Sequence, residues 1–186
     1  AYLDLYECTF DERYLQQAHQ WALLCFDHFY SDQRGMFFYT SNSGEQLVAR
    51  SMETADNVIP ASNSVMAHQL YRLSFHYDRK SYRDTAKQML RAVEPQMTRY
   101  GEGYSNWLSL YLNELGPYYE VVVVGSDALQ KRKQIDQFYF PNGLAAGCTS
   151  PSKLPLLSGR FVEGKTLFYL CEEGACQLPT ESFRPL

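Results

Sequence analysis

The sequence lacks any apolar run near the roughly 20 residues that a membrane-spanning helix needs, so no membrane partner is expected. An excess of positive charge is missing too. Its 17 Lys and Arg stand against 21 Asp and Glu, a net charge of −4. The clustered basic surface of a nucleic-acid module is therefore absent, and no nucleic-acid partner is expected. There is no G-x-G-x-x-G or G-K-[ST] phosphate loop, and Gly125-Ser126 after an apolar run is only a weak anion-binding turn. No serine or cysteine sits in a nucleophile elbow. The reading calls for no cofactor.

Cysteine is sparse, five in 186 residues, and the odd count lacks the density of a secreted disulfide scaffold. Cys8 and Cys25 fall among Leu, Phe and Trp in helical patterns and read as buried free thiols. Cys171 and Cys176 form a C-x4-C pair with no second pair to complete a zinc tetrad, so no metal is expected. The pair reads as two reduced thiols at a strand end, with a local disulfide or a metal as alternatives. Reduced thiols point to a cytoplasmic setting. His68 and His76 lie two turns apart on one helix, too far to share a metal, and His19 and His28 have no spaced partner. The chain also lacks a Ser, Thr, Asp or Asn cap before its first apolar-periodic segment, Tyr2-Leu3-Asp4-Leu5-Tyr6. It reads as part of a longer protein.

What is present is helical periodicity. Tyr14, Ala18, Trp21, Ala22, Cys25 and Phe29 mark a helix over 12–30 that Ser31-Asp32-Gln33-Arg34-Gly35 stops. Met36–Thr40, the turn Ser41-Asn42-Ser43-Gly44 and Gln46-Leu47-Val48-Ala49 predict a small hairpin or extended excursion. Further helices are expected from Ser62 or Asn63, from Ser81 (with Pro95 shortening or kinking it) and over 104–115. After Gly116-Pro117 the period changes. Tyr119–Gly125 is a β-branched run typical of a buried strand, Ser126-Asp127 suits the start of a helix reaching Phe138, and 143–147 and 166–170 read as two more strands. Strand, helix, strand in that order predicts a parallel crossover and a small α/β unit over 118–186.

An internal echo organises residues 1–117. Leu5-Tyr6-Glu7-Cys8-Thr9-Phe10 returns as Leu70-Tyr71-Arg72-Leu73-Ser74-Phe75, and Asp11, Tyr14 and Ala18 return as Asp78, Tyr82 and Ala86. Each copy reads helix, turn, helix. Repeated α-hairpins with a long decorated connection predict part of an α/α toroid or solenoid.

The densest polar stretch, 50–64, runs into a helix start. Glu53 and Asp56 are the candidate acid and base there, and Arg50, Asn57, Ser62 and Asn63 the candidate ligand-orienting groups. Trp107, with Tyr104 and Tyr111, is a candidate stacking platform for a sugar ring. The competing reading makes Ser62 or Asn63 a helix cap, Asp56-Asn57 a turn, and the aromatic stripe core.

Three segments in this order carry a family resemblance: Asp56-Asn57-Val58-Ile59-Pro60-Ala61-Ser62-Asn63-Ser64, then Gly116-Pro117-Tyr118-Tyr119-Glu120-Val121-Val122-Val123-Val124-Gly125, then Tyr169-Leu170-Cys171-Glu172-Glu173-Gly174-Ala175-Cys176-Gln177-Leu178-Pro179. The chain resembles the carboxy-terminal part of the spermatogenesis-associated, thioredoxin-domain-containing family (YyaL-like proteins). The resemblance implies a mainly α chain forming part of an (α/α)6 toroid, similar to N-acylglucosamine 2-epimerases and six-hairpin glycosidases. It also implies a thioredoxin-like domain and further toroid helices upstream. Two functions follow as expectations. One is a carbohydrate-active or sugar-binding toroid with a small carbohydrate as partner. The other is a non-catalytic scaffold for the upstream thioredoxin-like domain, with Cys171 and Cys176 offered for redox exchange.

Overall fold

The computed structural model describes residues 1–45 and 49–183. Among them six α-helices and two small sheets occur, so the chain is mainly α with a sheet portion. In chain order these are α1 (Tyr2–Thr9), α2 (Glu12–Phe29), β1 (Tyr30–Ser31), β2 (Met36–Phe37), α3 (Ser62–His76), α4 (Lys80–Arg99) and α5 (Ser105–Leu115). Then follow β3 (Tyr119–Val124), α6 (Ala128–Arg132), β4 (Gly143–Cys148), β5 (Leu167–Glu172) and β6 (Ala175–Cys176). Contacts divide the chain into two units, one of 1–17, 75–78 and 113–186, the other of 18–74 and 79–112. The sequence suggests one boundary at 117, whereas the contacts group α1 with the distant sheet. That grouping rests on pairings such as the Tyr6 hydroxyl donating to the Gly147 carbonyl at 3.2 Å, across 141 residues of chain.

In the first unit the strand order is β4-β3-β5-β6. β3 runs parallel to β4, as a strand–helix–strand crossover requires, and antiparallel to β5. Val121 and Val123 face an apolar cluster with Phe10, Ala128, Ile135, Phe168 and Phe183. By strand alternation Glu120, Val122 and Val124 face the other way, and they too are buried. Gly125 ends β3 at φ 140, where an added Cβ would collide with the Lys165 carbonyl, so the turn depends on glycine. The helix after it is far shorter than the stretch to Phe138 suggests. Asp127 makes no side-chain capping bond, and a 3₁₀ turn over Ile135–Gln137 swings Ile135 into the core.

The second unit is helical. Phe26 stacks on Tyr82 at 5.8 Å and meets Phe37 edge-on at 5.3 Å, locking α2, β2 and α4 together. The small hairpin exists, but its partner strand differs from the expected one. β2 pairs with β1 through Tyr30↔Phe37, and the turn falls on 32–35 with Gly35 at φ 63. Residues 46–48, the expected second strand, lie outside the described residues. α4 runs through Pro95 to Arg99 without ending there.

Both copies of the internal echo fold as helix, turn, helix. Each first helix is followed by a left-handed residue, Phe10 at φ 53 and Asp78 at φ 47, and the echoed Tyr6 and Tyr71 are both buried. Cys8, read as buried, is exposed, because α1 turns Leu3 and Tyr6 inward and leaves Cys8 on the opposite face. Cys25 is half-buried, and burial pushes the Cys148 thiol up to about 11.

Candidate functional site

Helix α3 begins after Ala61, whose side chain offers no acceptor for the free amides of a helix start. The loop supplies them instead. Asp56 Oδ1 accepts from the Ala61 amide at 2.9 Å and from the Ser64 hydroxyl at 2.7 Å. Its Oδ2 accepts from the Asn106 amide at 2.9 Å, in the first turn of α5. Its own amide donates to the Gly103 carbonyl at 2.7 Å. One carboxylate thus ties two helix starts, reaching across 50 residues of sequence to Asn106, and the helix dipoles favour negative charge there. Glu53 does the lesser version of the same task, with Oε2 accepting from the Ser62 amide at 3.2 Å.

Asn63 is fully buried (0% exposed) and acts as a strand partner in miniature. Its Oδ1 accepts from the Phe37 amide at 2.8 Å, and its Nδ2 donates to the Phe37 carbonyl at 2.8 Å and the Glu53 carbonyl at 2.9 Å. Trp107 is likewise fully buried, its indole N–H donating to the Thr54 carbonyl at 2.7 Å. The sequence-based platform for a sugar ring is therefore a core side chain that pins the loop. Arg50 donates to the Thr40 carbonyl and lies 4.0 Å over the Phe38 ring. Asn57 and Ser62 are exposed; the Asn57 amide donates to the Ile59 carbonyl at 3.0 Å.

The fold thus brings Glu53, Asp56, Ser62, Asn63 and Trp107 into one hydrogen-bonded knot, while Arg50 is held against Phe38 and Thr40. Sequence reasoning missed the knot's far members. Ser64 donates to Ala61 and Asp56 and accepts from the Asn106 side chain at 3.0 Å. His68 stands beside it, and because the Asn106 carbonyl 2.8 Å away can only accept, the His68 Nε2 carries the proton. Burial, followed by the nearby Arg72 charge, holds His68 below the ordinary histidine value.

In the first unit, Cys171 and Cys176 form a disulfide, which corrects the reading of two reduced thiols. The two residues are directly opposed in the β5–β6 pair, so the turn between them brings the sulfurs together. That turn is made by Glu173 and Gly174, both at positive φ. Arg160, also unnoticed in the sequence, places Nη1 at 2.7 Å from Cys176 Sγ and 3.3 Å from Cys171 Sγ. Among the described residues no three His, Cys, Asp or Glu side chains gather as metal ligands, and no helix is long and apolar enough to cross a membrane.

The chain is 29% identical over 193 aligned positions to spermatogenesis-associated protein 20 of Mus musculus and to that of Homo sapiens. It is 28% identical to that of Rattus norvegicus. Each alignment covers 95% of this chain and 24% of the relative, so the chain spans about a quarter of the length of the curated relatives it matches. No family model matches. The similarity runs along nearly the whole chain and agrees with the resemblance carried by the motifs at 56–64, 116–125 and 169–179.

Proposed function

We propose that this chain is a segment of an α-hairpin toroid within a longer protein, and that it serves as a non-catalytic interaction scaffold for an upstream thioredoxin-like domain. One observation carries the reading. Both oxygens of Asp56 are engaged by three protein donors, which leaves the group suited to tying helix starts together and poorly suited to proton transfer with a ligand. Glu53 is the exposed carboxylate of the pair, and one acid bonded to a backbone amide does not make an acid/base couple.

The helices also keep uncovered apolar positions, Trp21 and Leu24 on α2 and Leu108 and Leu112 on α5, in line with further toroid helices supplied by the rest of the protein. The competing proposal is a carbohydrate-active site using Glu53 and Asp56, with Arg50, Asn57, Ser62, Asn63 and Trp107 as ligand groups. It requires the knot to open.

The full-length protein tests the choice. Titration with neutral, amino and acidic monosaccharides should leave its melting temperature unchanged, and removing the thioredoxin-like domain should raise amide exchange in this chain. A sugar-dependent rise in melting temperature that Glu53→Gln abolishes overturns the scaffold reading in favour of the sugar site.

A further inference from the structure

The geometry points to the Cys171–Cys176 disulfide as a thiol–disulfide exchange site for a dithiol reductant, with Arg160 as the positioning group that receives the thiolate. The two sulfurs are unequal. Cys171 is buried (1% exposed) on β5, whereas Cys176 is exposed on the two-residue edge strand β6. A shallow cavity of about 290 Å³ opens beside them, lined by Tyr119, Leu170, Glu172, Ala175 and Gln177 as well as the cystine. An incoming thiol therefore meets Cys176 first.

Arg160 supplies the site with a cation. A disulfide sulfur is a weak acceptor and gains little from a guanidinium, while a thiolate gains a charge-assisted contact. Arg160 Nη1 is within reach of both sulfurs, at 2.7 Å and 3.3 Å, so whichever sulfur leaves has a cation beside it. The arginine is itself held in place. Its backbone carbonyl accepts from the Tyr169 hydroxyl at 3.0 Å, and its guanidinium carbon lies 5.2 Å over the Tyr169 ring. Tyr169 and Cys171 sit two apart on β5 and share a face, which aims the guanidinium along the strand at the sulfurs. Glu120 is buried directly opposite Cys171 across the β3–β5 pair.

The exchange balances as follows. A reductant thiolate attacks Cys176 Sγ, forming a mixed disulfide and breaking the Cys171–Cys176 bond, and Cys171 leaves as a thiolate beside Arg160. The reductant's second thiol loses its proton and attacks its partner sulfur, closing the reductant's own disulfide and releasing Cys176. Two electrons and one proton pass from the thiolate–thiol form of the reductant to the protein, the proton going to Cys176 while Cys171 stays the thiolate that Arg160 receives.

The test is reduction of the native full chain by dithiothreitol, followed by alkylation and mass mapping. Two new labels, at Cys171 and Cys176, should appear without denaturant, over the background of Cys8, Cys25 and Cys148. Arg160→Gln should slow reduction by about tenfold, and Arg160→Lys should keep most of the rate. A rate for Arg160→Gln within about twofold of the native rate, or reduction that needs denaturant, overturns the proposal. Should Arg160→Gln fold poorly, the single-cysteine variants decide. Cys171→Ser should leave Cys176 reactive with an aromatic disulfide reagent under native conditions, and Cys176→Ser should leave Cys171 about tenfold slower. Equal rates at the two cysteines overturn the assigned point of attack and the proposal with it.

Discussion

Around Asp56 the carboxylate oxygens and the Ser64, Asn63 and Trp107 polar groups all meet donors or acceptors of the protein itself, whereas around Cys176 a disulfide and a guanidinium lie beside an open concavity. Both regions are rich in groups that can do chemistry. In residues 50–64 those groups replace the caps that Ala61 and Tyr104, the residues before α3 and α5, do not supply, so the chemistry is consumed in joining backbone to side chain. On the β5–β6 hairpin the two strands pair with each other through their backbones, and the Cys176 and Arg160 side chains are not used to hold a helix start. Polar density in a loop is therefore a poor guide to function until the donors and acceptors are paired off.

The sharpest way to break this contrast is Trp107→Ala. If the indole is core and anchor, the substitution should cost about 3–5 kcal/mol through the cavity and the lost bond to Thr54, read as the urea midpoint. In a Trp21→Phe background Trp107 is the sole tryptophan, and its emission should be that of a buried ring that reddens on unfolding. A loss below about 1 kcal/mol would place the ring outside the core.

Next in size is Asp56→Asn. The amide oxygen can still accept from Ala61 and Ser64, but its NH2 group then faces the Asn106 amide, donor against donor. About 2 kcal/mol should be lost, while Asp56→Glu loses a comparable amount by misplacing both oxygens.

His68 sharpens the same region through pH. Its folded value is depressed, so the unfolded state binds the proton more readily. Stability should be full above the ordinary histidine value near 6.5 and fall as pH drops through it, with His19, depressed by burial and by Arg79, acting in the same direction. His68→Gln should flatten that slope between about pH 7 and 5 in thermal melts. An unchanged slope would move its origin elsewhere.

The smallest effect belongs to the other region. Arg160→Gln should alter the unfolding free energy by less than about 0.5 kcal/mol, because the guanidinium contacts sulfurs and a ring near the surface and closes no backbone gap. A loss of several kcal/mol would make Arg160 a structural clamp like Asp56.

Much of the fold was legible before any coordinates. Apolar side chains every three or four residues marked α2 and α4 almost to their ends, and the Val121–Val124 run marked β3. The errors share one cause. The turn at 32–35 looked like a helix stop, yet it is also the turn of the β1–β2 hairpin, because its partner residues, Tyr30 and Ser31, are the end of the helical pattern. The stretch to Phe138 looked helical, yet Ile135 is drawn into the sheet's apolar cluster and the helix ends at Arg132. The polar loop was found as a cluster, and its cap reading was available, but the donor that fixes Asp56 lies at Asn106. No local pattern links those two positions.

What the sequence determined by itself is the order and kind of its elements, since periodicity and turn chemistry act over a few residues and need no distant partner. Only the tertiary structure decided which of the polar and sulfur groups meet. Which amide reaches Asp56, and which cation reaches Cys171 and Cys176, depends on segments brought together by burial of apolar surface, and that driving force has no preferred sequence separation.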